Sequence, residues 1–466
     1  MSLFAAAQRD SAVIKPDSIA TVSAPPGGND SALVLIADIA IHGNNKTRPY
    51  IIERELPFKQ GEYVLRKDLV KKLILAQQQV FNTTLFLQAS VYIQSIQGDL
   101  VFINVDVKER WYLFPLPYFK LVDKNFNTWW VTEKRSFDRV NYGIKFIQNN
   151  VSGQNDKLNL YLIWGYTRQI SFKYEQPFAN KSLTGGYSVA FDFGRQRELN
   201  YGTLESKQSF YKQDQFARQN IRAEFTYLYR PAIKTHHSFT IAFEQDKVAD
   251  TVLKLNPNYF PGGRTKINFP EISYGLQYYN TDYNAYPSKG FLGDFRITRK
   301  GWNKEMNLTQ IDMHGTYTKP ISKNSQIQFQ TGGIIKFPFK QPYYNQQLFG
   351  YGDIFLRGLE YYVIDGSAGI MGRTTVRRQF LSFMIKSPPS AKKPVAIPFK
   401  MYGKVFGDAG YAYNQQPQTS LLNNKLLYTY GAGVDIVTTY DLVIKLEYTF
   451  NQLGGSGLFL HLRTDF

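Results

Sequence analysis

Residues 341–366, QPYYNQQLFGYGDIFLRGLEYYVIDG, form a long stretch with neither a strand nor a helix period, and Leu356-Arg357-Gly358-Leu359 stands at its centre. A loop of this length inside a regular β pattern is uncommon and is usually functional or disordered. Its aromatic content and single Arg argue against disorder. The chemistry open to such an Arg is charge pairing rather than bond breaking. An ordinary hairpin loop with a chance Arg-Gly and a functional loop both fit at this level. Residues for catalysis are scarce. The five His (His42, His236, His237, His314 and His461) include no H-E-x-x-H spacing. His236 and His237 are adjacent, so in a strand they point to opposite faces. Ser390-Ala391-Lys392-Lys393 matches Ser-x-x-Lys only inside a Pro-rich turn. No G-x-S-x-G, Walker or dinucleotide fingerprint occurs. A hydrolase whose Ser, His and acid meet only on folding is the alternative, and no motif asks for it. No catalytic residue, metal site or cofactor is therefore assigned, and the chain is expected not to be an enzyme.

What must position that loop is legible in composition. The chain has 466 residues, 43% hydrophobic and 16% aromatic, with a net charge of +18 and no Cys. Its mean hydropathy is −0.34. No apolar run reaches the roughly eighteen residues a membrane helix needs. A transmembrane β-barrel stays open, because only alternate residues need be apolar. Absence of Cys suits an oxidising periplasm, where no wrong disulfide can then form. Lys and Arg are spread through alternating segments rather than gathered, which fits a barrel lumen and lipid headgroups better than nucleic acid.

Met1–Gln8, MSLFAAAQ, has the small residues of a signal-peptidase site without a basic start or a full apolar core. It reads either as the rear of a secretory signal whose true start lies upstream, or as a polar tail. Residues 1–31 as a whole are expected to be a leader, ending in a flexible linker.

Residues 32–110 read as one small folded unit. Leu35, Ala37, Ile39 and Ile41 alternate up to Gly43-Asn44, as in a strand ending in a turn. Thr47 could cap a short helix, with Pro49 in its first turn. A longer helix follows Gly61, carrying Leu69, Leu73, Ala76 and Val80 at helical spacing. Strands around 85–93 and 100–108 complete a β-α-α-β-β order, with Val101, Ile103, Val105 and Val107 on one face. Ile39, Gly43-Asn44, Thr47, Ile52, Arg54-Glu55-Leu56, Gly61 and Thr84-Leu85-Phe86 together resemble a POTRA domain. The resemblance implies that extended peptide binds at a strand edge by β-augmentation.

From 111 to 466 short alternating segments recur. Leu442, Ile444, Leu446, Tyr448 and Phe450 oppose Val443, Lys445, Glu447 and Thr449. A soluble sandwich also alternates. Charges at mid-strand on the less apolar face suit a wet lumen instead, and aromatics near segment ends suit an interfacial girdle. Roughly eleven strands precede residue 341 and about five follow 366. The fold class is thus mainly β, a 16-stranded antiparallel transmembrane β-barrel preceded by one small α+β domain.

One POTRA, about sixteen strands, and a long loop between the eleventh and twelfth strands resemble the BamA/TamA-type outer-membrane assembly family (POTRA plus bacterial surface antigen barrel). In that family the loop folds into the lumen and carries Val/Ile-Arg-Gly-Phe/Tyr. Leu356-Arg357-Gly358-Leu359 matches it, with Leu359 in place of the aromatic. The family's Phe-x-Asp-x-Gly matches Phe406-Gly407-Asp408-Ala409-Gly410. The resemblance implies an Arg357–Asp408 ion pair pinning the loop. A Glu often joins the pair from the intervening strand, but that strand offers Arg377-Arg378 and no acid. Leu458, Leu460, Leu462 and the terminal Phe466 resemble the C-terminal signal by which assembly machinery recognises its substrates.

The expected function is assembly, insertion or translocation of polypeptides at the bacterial outer membrane, with the POTRA in the periplasm. Unfolded outer-membrane or secreted chains would be received there and passed to a seam between the first and last strands. The expected partners are the lipid bilayer, those polypeptides and accessory lipoproteins, with no nucleic acid. Gly454-Gly455-Ser456-Gly457 before the last strand suits either a weak seam or a plain turn. A dedicated secretion pore for one partner protein is the alternative. Lipid transport and a passive porin follow behind it.

Overall fold

A computed structural model describes residues 31–121, 140–352, 354–386, 396–417 and 419–463. The leader up to residue 30, the Ser390–Lys393 stretch and Phe466 lie outside the described residues.

The N-terminal unit runs β1 (Leu33–His42), α1 (Pro49–Glu53), β2 (Tyr63–Leu65), α2 (Arg66–Asn82), β3 (Phe86–Gln97) and β4 (Leu100–Glu109). The strands form a separate sheet of order β2-β1-β4-β3, in which β1 and β4 are parallel. The short β2 is an addition to the expected order, because three residues cannot display an alternation. On α2, Leu69, Leu73, Ala76 and Val80 are wholly buried, packed with Val34, Ile36, Val101, Ile103 and Val105. The helical spacing of these four is what lets one stripe close the sheet face. Pro49 opens α1, but Thr47 does not cap it. Thr47 is buried, and its hydroxyl meets Asn150 Nδ2 at 2.9 Å and Tyr112 OH at 3.1 Å, outside the helix.

Sixteen strands then form one antiparallel sheet. In chain order they are β5 (Leu113–Leu121), β6 (Val140–Asn149), β7 (Lys157–Gly165), β8 (Thr167–Gln176) and β9 (Gly185–Gln196). A small hairpin, β10 (Glu198–Leu204) and β11 (Lys207–Lys212), stands apart from the sheet. The sheet resumes with β12 (Arg218–Ala232), β13 (Thr235–Val248), β14 (Lys266–Thr281), β15 (Gly290–Lys300), β16 (Leu308–Ser322) and β17 (Ser325–Phe337). Two short strands in the long loop, β18 (Gln347–Phe349) and β19 (Ile364–Asp365), pair with each other. The sheet ends with β20 (Ala368–Lys386), β21 (Ala396–Tyr413), β22 (Leu426–Val437), β23 (Val443–Asn451) and β24 (Ser456–Arg463). Every neighbour except β17 and β20, and β9 and β12, is consecutive, so the barrel is a simple meander with β5 and β24 as its first and last strands. Among the described residues one α-helix interrupts it, α3 (Asp250–Leu255), whose six residues are too few for a helical period to register in the sequence.

The alternation sorts the two faces. Leu446, Tyr448 and Phe450 point out and are about half exposed, whereas Val443, Glu447 and Thr449 point in and are buried. Leu458, Leu460 and Leu462 on β24 share the outer face, each more than 60% exposed. Such apolar exposure on strand after strand is the face a bilayer covers. The N-terminal domain sits against one end of the barrel, here the near rim. The long connections, including 197–217, 249–265 and 338–367, lie at the far rim.

Candidate functional site

The 338–367 loop folds against the inner wall. Leu348, Phe349, Leu356, Leu359 and Ile364 from the loop bury themselves with Met371, Ala412 and Leu427 from the wall. Leu359, the residue standing where an aromatic was expected, is 3% exposed in this cluster. Burial of these side chains draws the loop inward and sets Arg357 beside β21.

Arg357 is 6% exposed and its chief partner is Asp408. Its backbone N–H donates to Asp408 Oδ2 at 3.0 Å, and Nε reaches the same carboxylate at 3.0 and 3.2 Å. Nη2 also donates to Asp408, making a forked contact that adds geometry to charge. Phe406, Asp408 and Gly410 lie at alternate positions, so all three face the lumen. The Phe406 ring lies 3.9 Å from the guanidinium carbon. At Gly410, a Cβ would sit 3.4 Å from Leu356 Cδ2 and 3.0 Å from the Ile370 carbonyl. The three wall residues thus provide a platform, a counter-charge and clearance. Gly358 has φ +93°, and a Cβ there would press on Thr449 at 3.1–3.2 Å.

The missing acid is found elsewhere. Glu447 on β23 lies 3.8 Å from Arg357 Nη1, while the intervening strand β20 supplies a hydroxyl, Thr375 Oγ1, at 3.0 Å. Alternation put Glu447 on the lumen face, but only the register of β21, β22 and β23 brings it level with Arg357. Glu447 also meets Lys404 Nζ at 2.5 Å, and Lys404 pairs with Asp435. Arg377 on β20 serves a different purpose: its guanidinium lies 3.7 Å from the Tyr286 ring, and it donates to the Pro287 carbonyl.

The loop also reaches the last two strands. Asn451 Nδ2 donates to the Gly358 carbonyl at 2.8 Å, and His461 Nε2 lies 3.3 Å from Glu360 and 3.5 Å from Glu447. The sequence showed His461 only as a histidine outside any metal-ligand spacing; its place on the face opposite Leu460 was the available signal for a lumen contact.

At the near rim the N-terminal domain is bonded to the barrel at several points. Glu55, 2% exposed, accepts from Arg230 at 2.5 and 2.8 Å and from Arg54 at 3.2 Å. Arg54 donates to the Leu183 and Arg230 carbonyls at 2.6 and 3.0 Å and lies 4.5 Å from the Phe178 ring. Burial, and then Arg230, lower the Arg54 pKa to about 10, with Glu55 opposing them. Arg48 N–H meets the Gly153 carbonyl at 2.9 Å, and Asn82 bonds Thr281 and Asn284. Arg110 pairs with Asp441 at 2.7 Å. A cavity of about 640 Å³ remains between the end of α2 and the barrel wall.

Among the described residues no trio of His, Asp or Glu could hold a metal ion, and no helix is long and apolar enough to cross a membrane. His236 and His237 lie on opposite faces of β13, His237 meeting Tyr274 OH at 2.9 Å.

A transmembrane barrel of sixteen strands with an inward-pinned loop and a small α+β domain at one rim defines a class of outer-membrane protein. The Omp85 superfamily domain matches residues 150–454, and the chain belongs to that superfamily. Its members are outer-membrane β-barrel proteins that act as transporters or assembly factors. No curated protein matches the sequence. Among solved structures, BamA from Haemophilus ducreyi lacking POTRA domains 1–3 is similar at 14% identity and TM-score 0.50, over 92% of this chain and 83% of that one. CdiB from Escherichia coli is similar at 10% identity and TM-score 0.50, over 92% of this chain and 75% of that one. These likenesses concern the fold.

Proposed function

We propose that the chain assembles or translocates polypeptides at the bacterial outer membrane, with its N-terminal domain acting as a POTRA on the periplasmic side. The domain receives an unfolded chain and the barrel inserts it or passes it, using the seam between β5 and β24. One observation carries this reading. The barrel is occupied at both ends, by the Arg357 loop inside and by the docked domain at the near rim, which is not the build of an open pore. A strand at a sheet end also offers backbone donors and acceptors to an incoming strand. Membership of the superfamily supports insertion or translocation in general.

The test is a quantitative outer-membrane proteome after depletion of the protein. A fall in many β-barrels is the expected result for general assembly. Loss of one or two surface or secreted proteins would make it a dedicated secretion pore. An unchanged proteome with altered lipid asymmetry would overturn the polypeptide reading in favour of lipid traffic.

A further inference from the structure

The near-rim turn 282–289 does two things at once. It folds inward, so that Tyr286 is buried against Tyr402, Val437 and Val443 inside the barrel. It also touches the N-terminal domain through Asn284 and through Tyr283, whose ring lies 5.6 Å from that of Phe81. Asp282 staples the turn by accepting from the backbone of Ser288 and Lys289 at 2.9 and 3.1 Å, making it a stiff piece.

From this turn a polar chain runs in both directions. Inward, Tyr286 OH donates to Asp435 at 2.9 Å, Asp435 pairs with Lys404, and Lys404 meets Glu447 at 2.5 Å. Glu447 in turn lies 3.8 Å from Arg357. Toward the rim, Tyr283 OH donates to Asp441 at 2.5 Å, and Asp441 holds Arg110 at 2.7 Å. Arg110 is itself bonded to the Phe86 carbonyl of the N-terminal sheet. Lys404, Asp435, Glu447, Asp441 and Arg110 are all at most 8% exposed.

We propose that this relay couples the pinned loop to the docking of the N-terminal domain, with Tyr286, Asp435 and Lys404 as positioning residues through which loop release favours domain release and domain release favours loop release. The physical reason is that a buried charge left without its partner is strongly destabilised. When Arg357 withdraws, Glu447 turns more fully to Lys404, and Lys404 releases Asp435. The shift then passes through the stapled turn to Asp441 and Arg110. The biological use of such coupling rests on the assembly reading above, but the coupling itself does not, and neither does its test.

The chain has no Cys, so spin labels can be placed at will on the full-length protein in nanodiscs. Labels at Lys71→Cys on α2 and Lys323→Cys on a near-rim turn outside the relay report docking by pulsed electron resonance; both sites are exposed. A label at Tyr361→Cys separately reports loop mobility. Arg357→Ala is expected to mobilise the loop and to raise the undocked fraction by about five-fold or more, the lower end of ordinary allosteric coupling. Tyr286→Phe keeps the ring packing and removes the bond to Asp435, so in that background Arg357→Ala should mobilise the loop without moving the domain. A mobile loop with unchanged docking would overturn the proposal. So would an equal shift in docking with or without Tyr286→Phe. Should Arg357→Ala fail to insert, Asp408→Asn applies the same test.

Discussion

Arg357 shows why one guanidinium can hold a loop where an ammonium could not. It meets Asp408 with backbone and side chain together, Thr375 with a second nitrogen, and the Phe406 face below. A lysine offers one compact charge and no fork, so Arg357→Lys is not conservative here. Removing one partner of a buried pair typically costs about 3–5 kcal/mol, and for Asp408 the remaining counter-charge is Arg373, more distant at 3.8 Å. Arg357→Ala and Asp408→Ala are therefore expected to free the loop while the rest of the barrel stays folded. Limited proteolysis should then cut within 341–366, with the folded band on unheated gels preserved. An unchanged protease pattern in both variants would rule out the pinning role. Gly358→Ala should loosen the loop by a different route: a left-handed backbone conformation costs a Cβ-bearing residue about 1–2 kcal/mol, and Thr449 crowds the added methyl. Arg357→Ala and Gly358→Ala should then give the same cleavage pattern despite touching different physics.

At the scale of the element, β24 makes the two faces of the barrel testable. Leu460 faces outward at 62% exposure, and His461 faces Glu360 and Glu447 in the lumen. Leu460→Arg puts a charge against lipid, which near the bilayer midplane destabilises a barrel by about 2–4 kcal/mol. His461→Ala should leave global unfolding nearly unchanged and loosen only the loop's hold on β24. Urea unfolding in liposomes separates the two, and equal effects would mean that the face assignment is wrong. The same period-2 logic explains what could be read without coordinates. Leu446, Tyr448 and Phe450 against Glu447 and Thr449 revealed a strand with one wet and one apolar face, and Leu69, Leu73, Ala76 and Val80 revealed α2. What alternation cannot give is register. Glu447 was visible as an inward acid but not as a neighbour of Arg357, because its height depends on how β21, β22 and β23 are staggered. Strand β2 and helix α3 were too short to show a period. The local rule for Thr47, a helix cap, lost to contacts with Asn150 and Tyr112 from distant parts of the chain.

For the molecule as a whole, the question is what holds the loop and the N-terminal domain against the barrel. The domain meets the near rim through Glu55 with Arg230, Arg110 with Asp441, a backbone bond from Arg48 to Gly153, and the Arg54 side chain on the Leu183 carbonyl. Of these, Glu55–Arg230 offers a reversible charge swap, because the pair is forked, buried on the acid side, and joins the N-terminal domain to the barrel. Glu55→Arg alone would set a third guanidinium beside Arg54 and Arg230, and Arg230→Glu alone would set two carboxylates together. Like charges at such distances repel strongly in a desolvated setting. Either single variant should therefore lift the domain, and single-channel recordings in planar bilayers should show longer and more frequent openings than those of the parent. The double variant restores opposite charge across the interface, although Arg54 then pairs with a displaced partner, so it should recover much of the closed time without reaching the parent. A coupling of about five-fold loosens the Arg357 loop when the domain lifts without emptying the lumen, so the single variants should conduct in bursts rather than as a steady open pore. Adding Asp408→Ala to Arg230→Glu should convert those bursts to sustained current. If the single swaps leave the recordings unchanged while the domain is shown by cross-linking to have moved, the inward loop alone seals the barrel.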